Sequence, residues 1–421
     1  MVQACLTSKN HGHIGVMWKT VSEACNLACD YCYYSSCGGQ PGKIEKIDSI
    51  MLEKFIKEYM DLSNGMASFA WQGGEPLLAG LEFFKQVVFL QAKYAPKNTI
   101  ISNSLQTNAT LITDEWASFF KQYNFLIGVS LDGPKEINDV RRVNGHGSGS
   151  FDRVMRGINH LRNAHVDFNI LTVIHEGNVG RAKELMAFYQ SEGFSHVQFI
   201  PCMDFRAQEP NKPGQYLITP EQYGQFLCEA FDIWYNDSTP KRSVRFFDNI
   251  LSVYLHQEAE LCVHRQSCPK TLILEQNGDA YPCDFYMNDD FRLGNVGQDS
   301  LIDILNSTKY DDFLGLKPNL PEVCLDCKYL HLCHGGCPRN RAWNQADDTA
   351  DSDYFCESYL QLYNYGHERM ERLAENIKLQ WLQNHLRAGR PKPDRNDICL
   401  CGSRKKFKKC CERLLQHSIP Y

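Results

Sequence analysis

The sequence has no apolar run approaching the roughly 20 residues needed to cross a bilayer, and its first residues, MVQACLTSKNHGHIG, lack the apolar core of a secretory signal. Neither a membrane-spanning role nor export is expected, and the chain is expected in the cytoplasm. There is no surplus of positive charge either. With 44 basic against 50 acidic side chains the formal net charge is -6, the wrong sign for a protein whose main task is to grip a phosphate backbone. Low-complexity tracts and fibrous repeats are absent, and 43% hydrophobic residues suit a folded chain. At 421 residues it has room for about two or three domains. One further absence is positional: no cysteine falls between residues 38 and 201, although the chain contains 19.

In a reducing compartment so many thiols point to metal ligation and not to disulfides. They are bunched. Five lie by position 37, Cys202 and Cys228 stand alone, eight run from Cys262 to Cys356, and Cys399, Cys401, Cys410 and Cys411 crowd the end. Scattered core thiols would not cluster in this way, so three separate sites are expected on three pieces of chain.

The cysteine-free stretch alternates β-rich runs with amphipathic ones. Strands are predicted over 16–21, 67–71, 99–106, 125–131, 167–173 and 195–200, and helices over 49–62, 81–95, 113–123 and 151–164. Such alternation gives a parallel sheet, either an open α/β sheet or a partial (β/α) barrel, with chemistry at the C-terminal ends of the strands. The first cysteine group follows the first strand and Gly73-Gly74-Glu75-Pro76 follows the second, so both fall on one rim. The segment from 240 to 375 has few periodic elements and eight cysteines, as expected where ligand bonds replace part of a core. A helix over 359–386 then leads to a linker at 388–397 rich in proline and charge.

Cys25, Cys29 and Cys32 form a C-x3-C-x2-C run. Three thiolates from one loop suit the face of a cubane cluster with one iron left open, whereas a zinc loop would need a fourth ligand such as Cys37 or a histidine. The run, with Gly73-Gly74-Glu75-Pro76, resembles the radical S-adenosylmethionine (SAM) superfamily. That resemblance implies a partial (β/α)6 TIM-like barrel and a 4Fe-4S cluster whose open iron binds the amino and carboxylate groups of SAM. It places Gly73, Gly74 and Glu75 at the SAM amino group, Asn108, Ser130 and Arg142 at the ribose and carboxylate, and Tyr31 against the adenine.

The eight later cysteines follow C-x5-C-x14-C and C-x2-C-x5-C-x3-C-x18-C. Eight thiolates make two closed four-ligand sites, and spacing alone leaves a pair of zinc ribbons open. The arrangement is similar to the SPASM extension, which implies two auxiliary 4Fe-4S clusters, one on Cys262, Cys268, Cys283 and Cys337, the other on Cys324, Cys327, Cys333 and Cys356. Within that group, Asp284 directly after Cys283, the Gln106-Thr107-Asn108 run and the run from Ser130 to Pro134 resemble the anaerobic sulfatase-maturating enzymes. These oxidise a Cys or Ser of a sulfatase to Cα-formylglycine. The resemblance makes Asp284 the general base, with an auxiliary cluster taking the electron, and puts Tyr34 and Gln72 in the substrate cleft. It also implies an unfolded sulfatase or precursor peptide as substrate, an electron donor such as flavodoxin or ferredoxin, and a monomer. A maturase forming thioether or other crosslinks in a ribosomal peptide shares the scaffold. A zinc-rich adaptor without enzymatic activity is the more distant alternative.

At the end of the chain, C-x-C-x8-C-C with Gly402 in the turn resembles the SEC-C motif and implies one zinc on Cys399, Cys401, Cys410 and Cys411. Its Arg404, Lys405, Lys406, Lys408 and Lys409 make a basic face, solvated or used to dock a partner. The expected domains are 1–238 for the radical SAM core, 239–386 for the SPASM region with its helix, and 387–421 for the zinc motif. The ligand sets that these resemblances imply leave Cys5, Cys37, Cys202 and Cys228 as free thiols, and at four irons per cubane, metal content should be about twelve irons and one zinc per chain.

Overall fold

The computed structural model describes residues 14–202, 218–344 and 349–416. The chain forms two compact bodies, each assembled from separated segments. The first takes residues up to Leu131, Lys135–Asn169 and Pro269–Gly315. The second takes Asp132–Pro134, Ile170–Cys268 and everything from Leu316 onward.

In the first body, strands β1 (Gly15–Lys19), β2 (Met66–Gln72), β3 (Ile100–Thr107) and β4 (Phe125–Ser130) lie side by side in chain order, all parallel. Helices α1 (Ser49–Leu62), α2 (Leu81–Tyr94) and α3 (Asp114–Gln122) connect them, followed by α4 (Lys135–Arg141) and α5 (Phe151–Asn163). The helix starts are written in the sequence. Asp48 accepts from the backbone N–H groups of Ile50 and Met51 before α1, and Thr113 caps α3 through Trp116 N–H. Helix α1 buries Leu52, Phe55, Ile56, Tyr59 and Met60 against the sheet, where Trp18 of β1 stacks on its register partner Trp71 of β2 and Phe69 stacks on Trp71 along β2. Each such ring contributes on the order of 1.5–3 kcal/mol by leaving water.

The strands and helices predicted between residues 16 and 200 are observed to within one residue at each end, apart from β1, which ends two residues before its predicted end. The segment read as irregular also supplies short strands. β8 (Thr271–Leu274) pairs parallel with the free side of β1, and β9 (Asp279–Tyr281) and β10 (Gly294–Asn295) continue antiparallel. Helix α9 (Leu301–Leu305) follows, and α10 (Thr308–Leu316) ends this stretch. Strands of two to four residues are too short for a period to be visible in sequence. Their consequence is positional, because residues just past β9 belong to the same body as the end of β1.

The second body holds the parallel strands β5 (Phe168–Ile174, whose first two residues belong to the first body), β6 (His196–Pro201) and β7 (Ser243–Val244), with helices α6 (Ala182–Ser191), α7 (Pro220–Tyr235) and α8 (Arg245–Tyr254). Thr219 and Gln222 form a reciprocal capping box at the start of α7, with Pro220 as its first residue. Short helices α11 (Glu322–Leu325) and α12 (Leu330–Cys333) and the hairpin β11 (Arg341–Asn344) and β12 (Thr349–Asp353) precede α13 (Cys356–Arg387). Helix α13 begins three residues before its predicted start and packs on α7, where Gly366 lets the Phe231 ring approach. The last element is α14 (Glu412–Gln416).

Candidate active site

The loop after β1 carries Cys25, Cys29 and Cys32. Amide hydrogens point at its sulfurs: Leu27 N–H donates to Cys25 Sγ at 3.4 Å and Ser35 N–H to Cys32 Sγ at 3.2 Å. Burial, and then the charges of Glu75, Cys29 and Cys32, push the Cys25 thiol up to about 12. Turning Cys25 into a thiolate ligand therefore calls for a positive centre beside it, as iron would provide. The donor set fits a cluster.

Gly73-Gly74-Glu75 straps the base of this loop. Gly74 N–H donates to Ser22 O at 2.7 Å and Glu75 N–H to Ala24 O at 2.8 Å. The approach is so close that a Cβ on Gly74 would lie 2.1 Å from Ala24 O, and Gly73 adopts φ +130°. The Glu75 carboxylate is fully buried and accepts from Leu77 N–H, Asn108 N–H and the Thr107 hydroxyl, the last two at 2.8 Å. Burial outweighs those donors and raises its carboxyl to about 7. An ammonium beside it would favour the carboxylate form, so the cradle also fits the amino group of SAM. Asn108 reaches back to Asn26 at 2.9 Å, Arg142 donates to the Tyr31 hydroxyl at 2.8 Å, and Gln106 donates to the Ser130 hydroxyl at 2.9 Å. All the residues assigned to SAM by resemblance thus lie in the first body.

A second group surrounds the end of β1. The Lys19 side chain is buried, forms an ion pair with Asp284 Oδ1, donates to Gln72 Oε1 at 3.2 Å and lies 4.3 Å from the centre of the Tyr34 ring. Asp284 Oδ2 accepts from the Tyr33 hydroxyl at 2.6 Å, and the Tyr34 hydroxyl donates to Glu275 at 2.6 Å. Burial, reinforced by Glu275, holds the Tyr34 phenol well above its ordinary range. Asp284, Tyr34 and Gln72, chosen from sequence, therefore meet around one lysine.

Within the second body, Cys324, Cys327, Cys333 and Cys356 line a cavity of about 70 Å³ together with Gly335, Gly336, Tyr359 and Tyr363. Cys262, Cys268 and Cys337 gather around Lys317, whose buried ammonium donates to Gly336 O. Cys283 belongs to the first body, just past β9. In the tail, the sulfurs of Cys399, Cys401, Cys410 and Cys411 all lie within 4.8 Å of one another. Burial works against ionisation there, yet hydrogen bonds from Ser403 bring the Cys401 thiol down to about 7. Of the expected free thiols, Cys37 donates to Cys25 O, Cys202 and Cys228 are buried, and Cys5 lies outside the described residues.

Family models match over residues 20–189 (radical SAM superfamily), 266–328 (iron-sulfur cluster-binding domain) and 395–413 (SEC-C motif). A cysteine-type anaerobic sulfatase-maturating enzyme from Clostridium perfringens is 37% identical over 371 residues, covering 87% of this chain and 99% of its own. The chain belongs to the anaerobic sulfatase-maturating enzyme family. A serine-type member from Bacteroides thetaiotaomicron is 34% identical, covering 87% of this chain and 92% of its own. The solved structure of native anSMEcpe with bound AdoMet and Cp18Cys peptide superposes with a TM-score of 0.81 at 35% identity, covering 87% of this chain and 100% of that one. The fold of this maturase family member is thus the radical SAM α/β sheet, a partial TIM-like barrel, with a SPASM region. The Clostridium relative is used almost end to end, so the rest of this maturase chain has no counterpart in it. Among the described residues no helix is long and apolar enough to cross a membrane.

Four residues of these groups were not selected from sequence: Lys19, Tyr33, Glu275 and Lys317. A lysine ending a strand carries no motif. One signal was available for Lys19, since a charged residue directly after the apolar run Val16-Met17-Trp18 on a buried parallel strand needs a partner.

Proposed function

We propose that this chain oxidises a Cys or Ser of an unfolded sulfatase to Cα-formylglycine under anaerobic conditions in the cytoplasm. SAM and three 4Fe-4S clusters would be its cofactors, and flavodoxin or ferredoxin its electron donor. The observation that carries this is Asp284, directly after Cys283 and paired with Lys19 in the body that also holds Cys25, Cys29, Cys32 and Glu75. Cys25, Cys29 and Cys32 would hold the SAM-binding cluster. Gly73, Gly74 and Glu75 would meet the SAM amino group, Asn108, Ser130 and Arg142 its ribose and carboxylate, and Tyr31 its adenine. When bound, SAM and its cluster supply a 5'-deoxyadenosyl radical that can take a hydrogen atom from a carbon.

The chain's own residues then handle the proton. After the substrate β-carbon loses its hydrogen atom, it must still give up one electron, for which a bound auxiliary cluster would be the acceptor, and the S–H or O–H proton, to become a double bond to sulfur or oxygen. Asp284 accepts that proton, with Lys19 fixing the carboxylate and Tyr34 and Gln72 forming the wall beside it. Water hydrolyses the thioaldehyde from cysteine to the aldehyde and releases hydrogen sulfide; serine gives the aldehyde directly. Reconstituted protein incubated anaerobically with SAM, reductant and a Cys-x-Pro-x-Arg peptide should give the mass change for replacing –CH2SH by –CHO. Deoxyadenosine release with the peptide unchanged would instead indicate another peptide substrate.

The functional boundaries of the core, the SPASM region and the tail are taken at residues 238 and 386. In the tail, Cys399, Cys401, Cys410 and Cys411 would close a tetrahedral zinc site. Phe407, Leu414 and Leu415 pack there with Leu382 and Leu386 of α13, and Arg413 pairs with Glu375 at 2.5 Å. So small a core depends on its metal. Cys410→Ser, or removal of zinc by a chelator, should therefore raise hydrogen exchange across 395–416 and the last turn of α13 while α7 stays protected. Unchanged protection would rule out a structural metal in the tail.

A further inference from the structure

Asp284 has its two oxygens engaged in different ways. Oδ1 is bound by Lys19, which is fully buried, held by Gln72 and covered by the Tyr34 ring, so it has nowhere to go. Oδ2 is bound by the hydroxyl of Tyr33, a side chain 44% exposed, at the surface next to Phe285, itself 39% exposed, with ring centres 5.3 Å apart. A phenol O–H donating to a carboxylate is the same kind of contact that a substrate thiol or hydroxyl must make before its proton can be taken. Of the two donors on Asp284, Lys19 is buried and Tyr33 is the one at the surface.

Building on the sulfatase-maturase assignment above, we propose that Tyr33 is a placeholder: its hydroxyl occupies the position on Asp284 Oδ2 that the S–H or O–H of the substrate takes, and productive binding displaces it. The exchange swaps one hydrogen bond to the carboxylate for another, so Asp284 never loses both donors. It also gives selectivity for residue type. A side chain that ends in a donor one carbon from the backbone can replace the phenol, whereas alanine cannot and leaves Tyr33 in place.

The test is equilibrium binding by calorimetry. Reconstituted holoenzyme with SAM and no reductant is titrated with the Cys-x-Pro-x-Arg peptide and with its Ser and Ala counterparts, in wild type and in Tyr33→Phe. Removing the competing hydroxyl should tighten the Cys peptide about 3- to 10-fold, the range for the net contribution of a typical hydrogen bond, and leave the Ala peptide within about twofold. If wild type binds the Cys peptide but Tyr33→Phe binds it no better, or if the Cys and Ala peptides shift equally, Tyr33 is a wall residue and the placeholder role is wrong. If wild type binds neither the Cys nor the corresponding Ser peptide, the sulfatase assignment fails and the placeholder falls with it.

Discussion

Asp284→Asn should still cleave SAM to 5'-deoxyadenosine yet lose formylglycine product by about 10²- to 10⁴-fold, the range a positioned general base contributes. The substitution preserves shape. An asparagine oxygen can still accept from Lys19 or from Tyr33, but its amide nitrogen faces the other of these two donors and cannot accept a proton. The Cys25 and Cys32 sulfurs and the Glu75 carboxylate take their hydrogen bonds from Leu27, Ser35, Leu77, Thr107 and Asn108, so radical generation should survive while the substrate proton has nowhere to go. Deoxyadenosine and modified peptide are quantified in the same reaction, and an unchanged product yield would remove Asp284 as the base.

The second large effect is expected from the smallest side chain that can be added. In Gly74→Ala the new methyl meets Ala24 O at 2.1 Å and Ala24 C at 2.5 Å, both backbone atoms that cannot swing away. The loop carrying Cys25 must move, which costs on the order of 1–3 kcal/mol or more and breaks the strap formed by Gly74 N–H and Glu75 N–H. Iron content should fall by about four per chain, one cubane, and SAM cleavage should be abolished. Metal analysis against wild type checks it, and full iron loading with normal cleavage would show that the strap is not needed. Gly80→Ala serves as control: no heavy atom lies within 4 Å of the added methyl, although its φ of +82° carries modest strain.

Much of this was legible in the chain because its signals are local. The strand and helix pattern from β1 to β6 rests on apolar runs and caps a few residues long, and the tail site rests on four cysteines within thirteen positions, whose sulfurs do converge. The Cys25 loop and Gly73-Gly74-Glu75 were legible for the same reason, each being a compact motif at a strand end. What escaped were partnerships created by the fold. Tyr33 and Asp284 are 251 residues apart, and neither identifies the other. Lys19 gains its meaning only when β8 lies down beside β1, and that strand has four residues within a stretch dominated by cysteines. Lys317 is similar, an ordinary lysine until the chain wraps three thiols around it.

The pairing of β8 with β1 also sets an order of events during synthesis. The neighbour that covers the outer side of β1 is not made until some 250 residues after it. Until then the strand that leads into the Cys25 loop presents an open edge, and Lys19 waits without its carboxylate. A fragment ending near residue 238 would keep that edge for good and invite pairing with other chains. The radical SAM core of this protein is thus completed by a segment translated after it, and should not be separable as an independently soluble enzyme.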